Sequence, residues 1–149
     1  MVYELHNTHL DLIKLTAFVC RNENLLPDPL SRHVDIRSYC NKLMEFGRVF
    51  VYKDASDIHG VCMGYINDYQ TFVAHLQVLL VCSEHQNKGV GTILIQHYIS
   101  EAKKAGMRSI LLTCDAENHP AKAFYKRMGF HVSDVSHPKP DKIFLVYSL

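Results

Sequence analysis

The sequence predicts one mixed domain of the α/β (α+β) class, with a mostly antiparallel central sheet of six to seven strands flanked by about four helices. Three observations carry this. Apolar runs of strand-like and of helix-like period are interleaved along the chain, which separates it from the all-α and all-β classes. The length, 149 residues, suits one domain with its own core, and no Pro-, Gly- or Ser-rich stretch divides residues 1–149. The segment from about Val78 to Cys114 reads strand–helix–strand, a right-handed crossover that makes its two strands parallel within the sheet.

The elements follow in order. Val2 to Leu5 is a short candidate strand. Thr8-His9-Leu10-Asp11 has the form of a capping box ahead of the apolar run Leu10 to Val19, so a first helix starts there. The two prolines in Leu25-Leu26-Pro27-Asp28-Pro29-Leu30 mark a loop. Ser31 is the expected cap of a second helix, which runs to about Phe46 and stops at Gly47. Arg48 to Tyr52 and Gly60 to Ile66 are strand-like around a turn at Asp54 to His59. Thr71 to Cys82, rich in Val and Leu, reads as a central strand. From Gly89 to Ala105, Val90, Ile93, Leu94, Tyr98 and Ala102 form one apolar helical face, with Lys103 and Lys104 in the last turn and Gly106 beyond it. Ser109 to Cys114 is a short buried strand. Asn118 and Pro120 open a helix that ends at Met128-Gly129. Phe130 to Val135 and Lys142 to Tyr147 form a closing strand pair.

Composition excludes several functions. Hydrophobic residues make up 48% and charged residues 21%, as in ordinary globular domains rather than disordered or fibrous chains. A net charge of +1 gives no basic footprint for nucleic acid and no polybasic membrane patch. No apolar run reaches the roughly 18 residues that span a bilayer. The N-terminus lacks the basic and apolar regions of a signal peptide. Five cysteines, none in a C-x-x-C pair, read as reduced thiols of a cytoplasmic protein. No metal site is expected: His6 and His9 are three apart with no third ligand following, and the ten histidines are dispersed.

The chemistry concentrates in Gln86-Asn87-Lys88-Gly89-Val90-Gly91-Thr92, between the central strand and the long helix. Glycines there let the backbone turn tightly and approach a ligand, and the first helical amides point outward with the positive end of the dipole behind them. That is a site for phosphate or pyrophosphate, to which Lys88 adds a cation. A Walker A loop needs Gly-Lys-Ser/Thr, and a dinucleotide fingerprint needs a third glycine where Leu94 stands. Neither is present. A plain turn into a helix is the competing structural account.

The pattern Gln-x-x-Gly-x-Gly, in Leu79-Leu80-Val81-Cys82-Ser83-Glu84-His85-Gln86-Asn87-Lys88-Gly89-Val90-Gly91, resembles the acyl-CoA loop of the GNAT superfamily of N-acyltransferases. A second block, Asn118-x-x-Ala121-x-x-Phe124-Tyr125-x-x-x-Gly129-Phe130, is similar to the superfamily's C-terminal motif. The resemblance implies the GNAT fold, with a sheet splayed at the acyl-CoA site, and an acetyltransferase that moves an acetyl group from acetyl-CoA to a primary amine of a small molecule or peptide. It implies that free backbone groups at Leu79, Leu80 and Val81 pair with the pantetheine arm, that residues 87–92 hold the pyrophosphate, and that Asn118 and Ala121 line the cofactor. Tyr125 takes the place of the general acid at the sulfur. Phe124 and Phe130 read as core. A homodimer is compatible with the resemblance.

The general base is open. Where superfamily members often carry a Glu on the central strand, this chain has Gln77, which cannot titrate. His75, two residues earlier and on the same strand face, has a suitable pKa, with a hydrogen-bonded structural His as the alternative. Glu84 is a weaker candidate in the loop, and a water chain is another. An acyl-cysteine route through Cys82 lacks a histidine placed by sequence to activate it, and Cys114 reads as packing. Two rival functions stand beside the enzyme for small amines: transfer of another acyl group or to a protein lysine, and a non-catalytic acyl-CoA sensor, which Gln77 favours and Tyr125 opposes.

Overall fold

A computed structural model describes residues 1–149. The elements are β1 (Val2–Glu4), α1 (His9–Asn22), α2 (Ile36–Phe46), β2 (Arg48–Lys53), β3 (Ile58–Tyr65), β4 (Val73–Val81), α3 (Val90–Lys104), β5 (Ser109–Asp115), α4 (His119–Met128), β6 (His131–Val132) and β7 (Lys142–Ser148), with single 3-10 turns at Glu23–Leu25, Leu30–Arg32 and Ser83–His85. All seven strands form one sheet in the order β1-β2-β3-β4-β5-β7-β6. Every pairing is antiparallel except β4 with β5, the two ends of the crossover through α3. No helix is long and apolar enough to cross a membrane.

Two elements depart from the sequence reading. The second helix is capped by Asp35 rather than Ser31: the Asp35 carboxylate accepts the Ser38 N–H at 3.0 Å, while residues 30–32 close a separate 3-10 turn. The strand expected over Phe130–Val135 shrinks to His131–Val132, because Ser133 Oγ accepts the Val135 N–H and turns the chain away. The Thr8 cap stands, with its hydroxyl accepting the Asp11 N–H at 3.2 Å.

The core lies on both sides of the sheet. On one side Leu15, Phe18 and Val19 of α1 and Cys40 and Leu43 of α2 pack on Val49, Val51, Val61 and Met63. On the other, Leu94, Ile95, Tyr98 and Ala102 of α3 pack on Phe50, Cys62, Ala74 and Ile110. Alternation along β2 and β3 supplies both layers, while β5 turns Ile110, Leu112 and Cys114 to the α3 side.

β4 breaks that alternation. Its register against β3 slips between Met63↔Val78 and Gly64↔Leu76, which leaves Gln77 as the extra residue of a β-bulge. Ala74 and Leu76, before the bulge, join the α3 side of the core, whereas Val78, Leu80 and Cys82, beyond it, join the α1/α2 side. Leu79 and Val81 are thereby turned to the α3/α4 side. The bulge needs Gly64: a Cβ there would press on the His75 carbonyl oxygen and stand 2.6 Å from Tyr98 Oη.

Gly64→Ala should destabilise the fold by about 2 kcal/mol through overpacking, read as a lower urea midpoint; an unchanged midpoint would mean that the bulge tolerates a side chain.

Candidate active site

β4 and β5 pair only at Val73↔Ser109, Ala74↔Ile110 and His75↔Leu111, and then part. Beyond His75 the edge of β4 facing β5 has no strand partner, whereas β5 continues to pair with β7 through Asp115. The opening is a cleft of about 360 Å³ that passes through the sheet. Leu25, Leu26, Asp28 and Leu30 of the loop after α1 line one end, Gln77 and Leu79 line the β4 wall, and Asn118, Ala121 and Tyr125 line the α4 wall. Those three α4 residues share one helix face at spacings of three and four. Asn118 also caps α4, its side-chain oxygen accepting the Ala121 N–H at 3.3 Å.

The Tyr125 hydroxyl makes no hydrogen bond within the protein; among tyrosine hydroxyls only those of Tyr39 and Tyr98 do. Burial pushes the Tyr125 phenol well above its ordinary range, with the Cys62 and Cys114 thiols adding to the shift, so it is neutral at physiological pH and able to donate. The two carboxylates at the cleft are already engaged. Asp28 Oδ2 lies 2.6 Å from His33 Nε2, and that bond holds its carboxyl below the usual range. Asp115 accepts from the Lys142 ammonium, which raises the Lys142 pKa. Tyr39 donates to Gln77 Oε1 at 3.4 Å, and burial pushes its phenol up to about 12.

Next along β4, a second pocket of about 280 Å³ opens over the start of α3. Val81, Gln86, Asn87, Gly89, Gly91 and Thr92 line it. Asn87 and Gly89 take left-handed backbone conformations, φ +61° and +81°, which fold the loop over the helix end. α1, α2 and α4 are each capped by a side chain, from Thr8, Asp35 and Asn118; α3 alone begins without one, at Gly89. Its first amides therefore face the pocket with no side chain to satisfy them, as anion binding requires. Gly91 leaves the pocket floor bare: a Cβ there would meet only Phe124 and Val81 at ordinary contact distance, 3.7 Å or more. An uncapped helix end, a glycine floor and an unpaired strand edge fit the phosphates and extended arm of coenzyme A.

Several residues singled out from the sequence lie elsewhere. His75 is outside the cleft lining, at the closed end where β4 still pairs with β5. The Leu80 side chain is buried in the α1/α2 core and its carbonyl faces β3, so Leu80 does not serve the cleft. Lys88 is exposed and does not line the phosphate pocket. Glu84 lines a cavity on the α1 side with His59 and Cys82, not the phosphate pocket. Cys82 does have a histidine: the 3-10 turn brings His85 Nδ1 to 3.3 Å from Sγ. Burial nonetheless raises the Cys82 thiol, and Cys82 belongs to the α1/α2 side, away from the cleft. Val90 lines the phosphate pocket while its side chain is buried under α3. Phe124, expected in the core, is half-buried and walls that pocket beside Arg127, a cation the sequence reading missed. Arg127 stands two residues after Tyr125, and only the docking of α4 aims it at the loop.

The family model described as the acetyltransferase (GNAT) family matches residues 16–130. The chain is 27% identical over 105 residues to N-alpha-acetyltransferase 30 of Schizosaccharomyces pombe, covering 70% of this chain and 69% of that one. Its fold is similar to that of the ribosomal-protein-S18-alanine N-acetyltransferase from Escherichia coli, with a TM-score of 0.76, 19% identity and coverage of 99% and 94% of the two chains. It is also similar to the PaiA N-acetyltransferase from Thermoplasma acidophilum solved in complex with coenzyme A, with a TM-score of 0.74, 18% identity and coverage of 100% and 99%.

Gly89→Asp adds a negative charge and strains a left-handed position. It should weaken coenzyme A binding at least about tenfold, equal to 1.4 kcal/mol, by isothermal titration calorimetry; undiminished affinity would remove the anion-binding role of this loop.

Proposed function

The chain belongs to the acetyltransferase (GNAT) family, and on that premise we propose that it transfers an acetyl group from acetyl-CoA directly to a primary amine of a small molecule or peptide. The observation that carries this reading is the continuous path from the uncapped start of α3, along the unpaired edge of β4, to the Tyr125 hydroxyl. Acetyl-CoA supplies the activated acyl thioester. The amides of residues 87–92 hold the diphosphate, with Arg127 as the nearby cation. The β4 edge at Leu79 and Val81, where the Val81 carbonyl already accepts the Gln86 side-chain amide at 3.1 Å, takes the pantetheine arm through its remaining main-chain groups, and a main-chain N–H near Val81 donates to the carbonyl oxygen as negative charge develops there. Holding amine and thioester in line supplies most of the rate. Tyr125, kept neutral by its surroundings, donates its proton at the sulfur.

The amine must lose a proton before it attacks, since an alkylammonium has a pKa near about 10. Asp28 and Asp115 are committed to His33 and Lys142. His75 stands back from the lining, so we assign the proton to water in the open cleft, with no direct contact from His75. The acceptor end is walled by Leu25, Leu26 and Leu30, with Asp28 as its one carboxylate. That suits a single amine on a partly apolar or peptide-like body better than a polycation. Five free cysteines fit a reducing, cytoplasmic setting.

One observation favours a second reading, a non-catalytic acyl-CoA sensor: Gln77 stands where a carboxylate would serve as base, and it is tied to Tyr39. Thiol release from acetyl-CoA, measured against alkylamines, amino-acid amides, short peptides and a lysine-bearing protein, separates the two. Turnover with amines or peptides is expected. Coenzyme A binding without turnover on any acceptor would leave the sensor, and turnover only on the protein would move the acceptor to lysine side chains.

Tyr125→Phe should lower kcat about 100-fold, within the usual range for losing a general acid, and change coenzyme A affinity little; an unchanged kcat would remove the acid role. His75→Ala should keep the rise of rate with pH through neutrality, and loss of that limb would restore His75 as the base.

A further inference from the structure

We propose that His59, Cys82 and His85 form a binding site for a borderline-soft divalent metal ion of the Zn²⁺ type, in the α1-side cavity just beyond the end of β4, with His85 also reaching the pocket at the start of α3. The pairing of β3 with β4 builds it. Gly60 lies opposite Val81, and the Cys82 N–H donates to the His59 carbonyl at 2.9 Å, so the two side chains sit side by side at the end of the ladder. The 3-10 turn Ser83–His85 then folds His85 back over them. One donor atom from each residue lies within 4.8 Å of the others, and Cys82 Sγ is 3.3 Å from His85 Nδ1.

The chemistry of the set matches the ion. Two imidazoles and a thiolate are the donors Zn²⁺ takes, at about 2.0 Å to nitrogen and 2.3 Å to sulfur, so neighbouring donors in a tetrahedron lie about 3.5 Å apart. The Cys82–His85 edge is already near that length. The rings of His59 and His85 stack, with centroids 3.8 Å apart and planes 15° from parallel. Ligation requires them to turn out of the stack so that their lone pairs converge, a rotation about side-chain bonds with the backbone left in place. Asp54 Oδ2 lies 2.7 Å from His59 Nε2, the carboxylate–histidine pairing that orients a metal ligand and leaves Nδ1 to coordinate. Asp54 is itself fixed by the Ser56 and Asp57 N–H groups at 2.9 Å. The cavity in front of the cluster, about 490 Å³, is also lined by Glu84 and Asp57, and by Arg21 as the opposing charge. Glu84 or water can complete the coordination. A purely structural thiol–imidazole contact is the alternative. Spacing along the chain cannot reveal ligands that only strand pairing brings together.

Titrating tag-free, reduced protein with Co²⁺ tests this. One Co²⁺ per chain should bind, with a thiolate-to-cobalt charge-transfer band in the near ultraviolet and visible bands of tetrahedral intensity, all displaced by Zn²⁺. Cys82→Ser should abolish the charge-transfer band. His59→Ala and His85→Ala should each weaken binding at least about tenfold, and Asp54→Asn should weaken it by a similar factor through its hold on His59. Cys20→Ser, at the one exposed cysteine, should leave the band unchanged. Far-ultraviolet circular dichroism confirms that each variant is folded; should Cys82→Ser fail that check, the histidine variants decide. Absence of the charge-transfer band in the parent protein, its survival in folded Cys82→Ser, or undiminished affinity in both histidine variants overturns the site.

Discussion

The parting of β4 from β5 is the constraint on which the rest of the molecule depends. A parallel pair normally keeps every backbone group in the ladder, yet here three pairs form before the strands diverge. The divergence leaves main-chain donors and acceptors exposed along one edge, a state that a sheet interior avoids unless something is to bind there. Both walls are held from outside the gap: β4 by its pairing with β3, and β5 by seven paired positions with β7. Each wall of the opening is therefore held by a strand on its far side.

The bulge at Gln77 makes the opening usable. Without the extra residue, Leu79 and Val81 would share the face of the earlier odd-numbered residues, toward α1 and α2, and the phosphate loop would be reached from the wrong side of the sheet. With it, the β4 wall of the cleft and the start of α3 face the same space. Gly64 on β3 provides the room, with the His75 backbone and Tyr98 hydroxyl pressed around it. A glycine in one strand thus decides which way two residues in the next strand point.

Electrostatics follow the same geometry. Three α-helices spend a side chain on their first turn, and the helix aimed at the phosphate pocket does not. The charged groups around the cleft are tied in pairs, Asp28 with His33 and Asp115 with Lys142, so the phenol of Tyr125 is left as a neutral, unpartnered donor on its α4 wall. His85 lines both the phosphate pocket and the cavity holding His59 and Cys82, so the loop after β4 has one foot on each side of the sheet.

Element types, their order and the parallel crossover were legible in the sequence because they rest on local signals: apolar period, helix caps at Thr8 and Asn118, and glycines at helix ends. The glycine loop that opens α3 and the α4 face bearing Asn118, Ala121 and Tyr125 were legible as local features for the same reason, being contiguous or one helical turn apart. The second-helix cap was misplaced because Ser31 and Asp35 are both good capping residues, and only the 3-10 turn between them separates the candidates. What the tertiary structure alone decided depends on pairing between strands. A one-residue slip against β3 cannot be read from the unbroken apolar run Val78-Leu79-Leu80-Val81, yet it sets the facing of Leu79 and Val81. It takes the docking of β4 against β5 to leave His75 at the closed end, the docking of α4 to bring Arg127 to the phosphate loop, and the β3–β4 ladder to bring His59 beside Cys82, because side chains far apart in the chain meet only when the backbone ladder places them there.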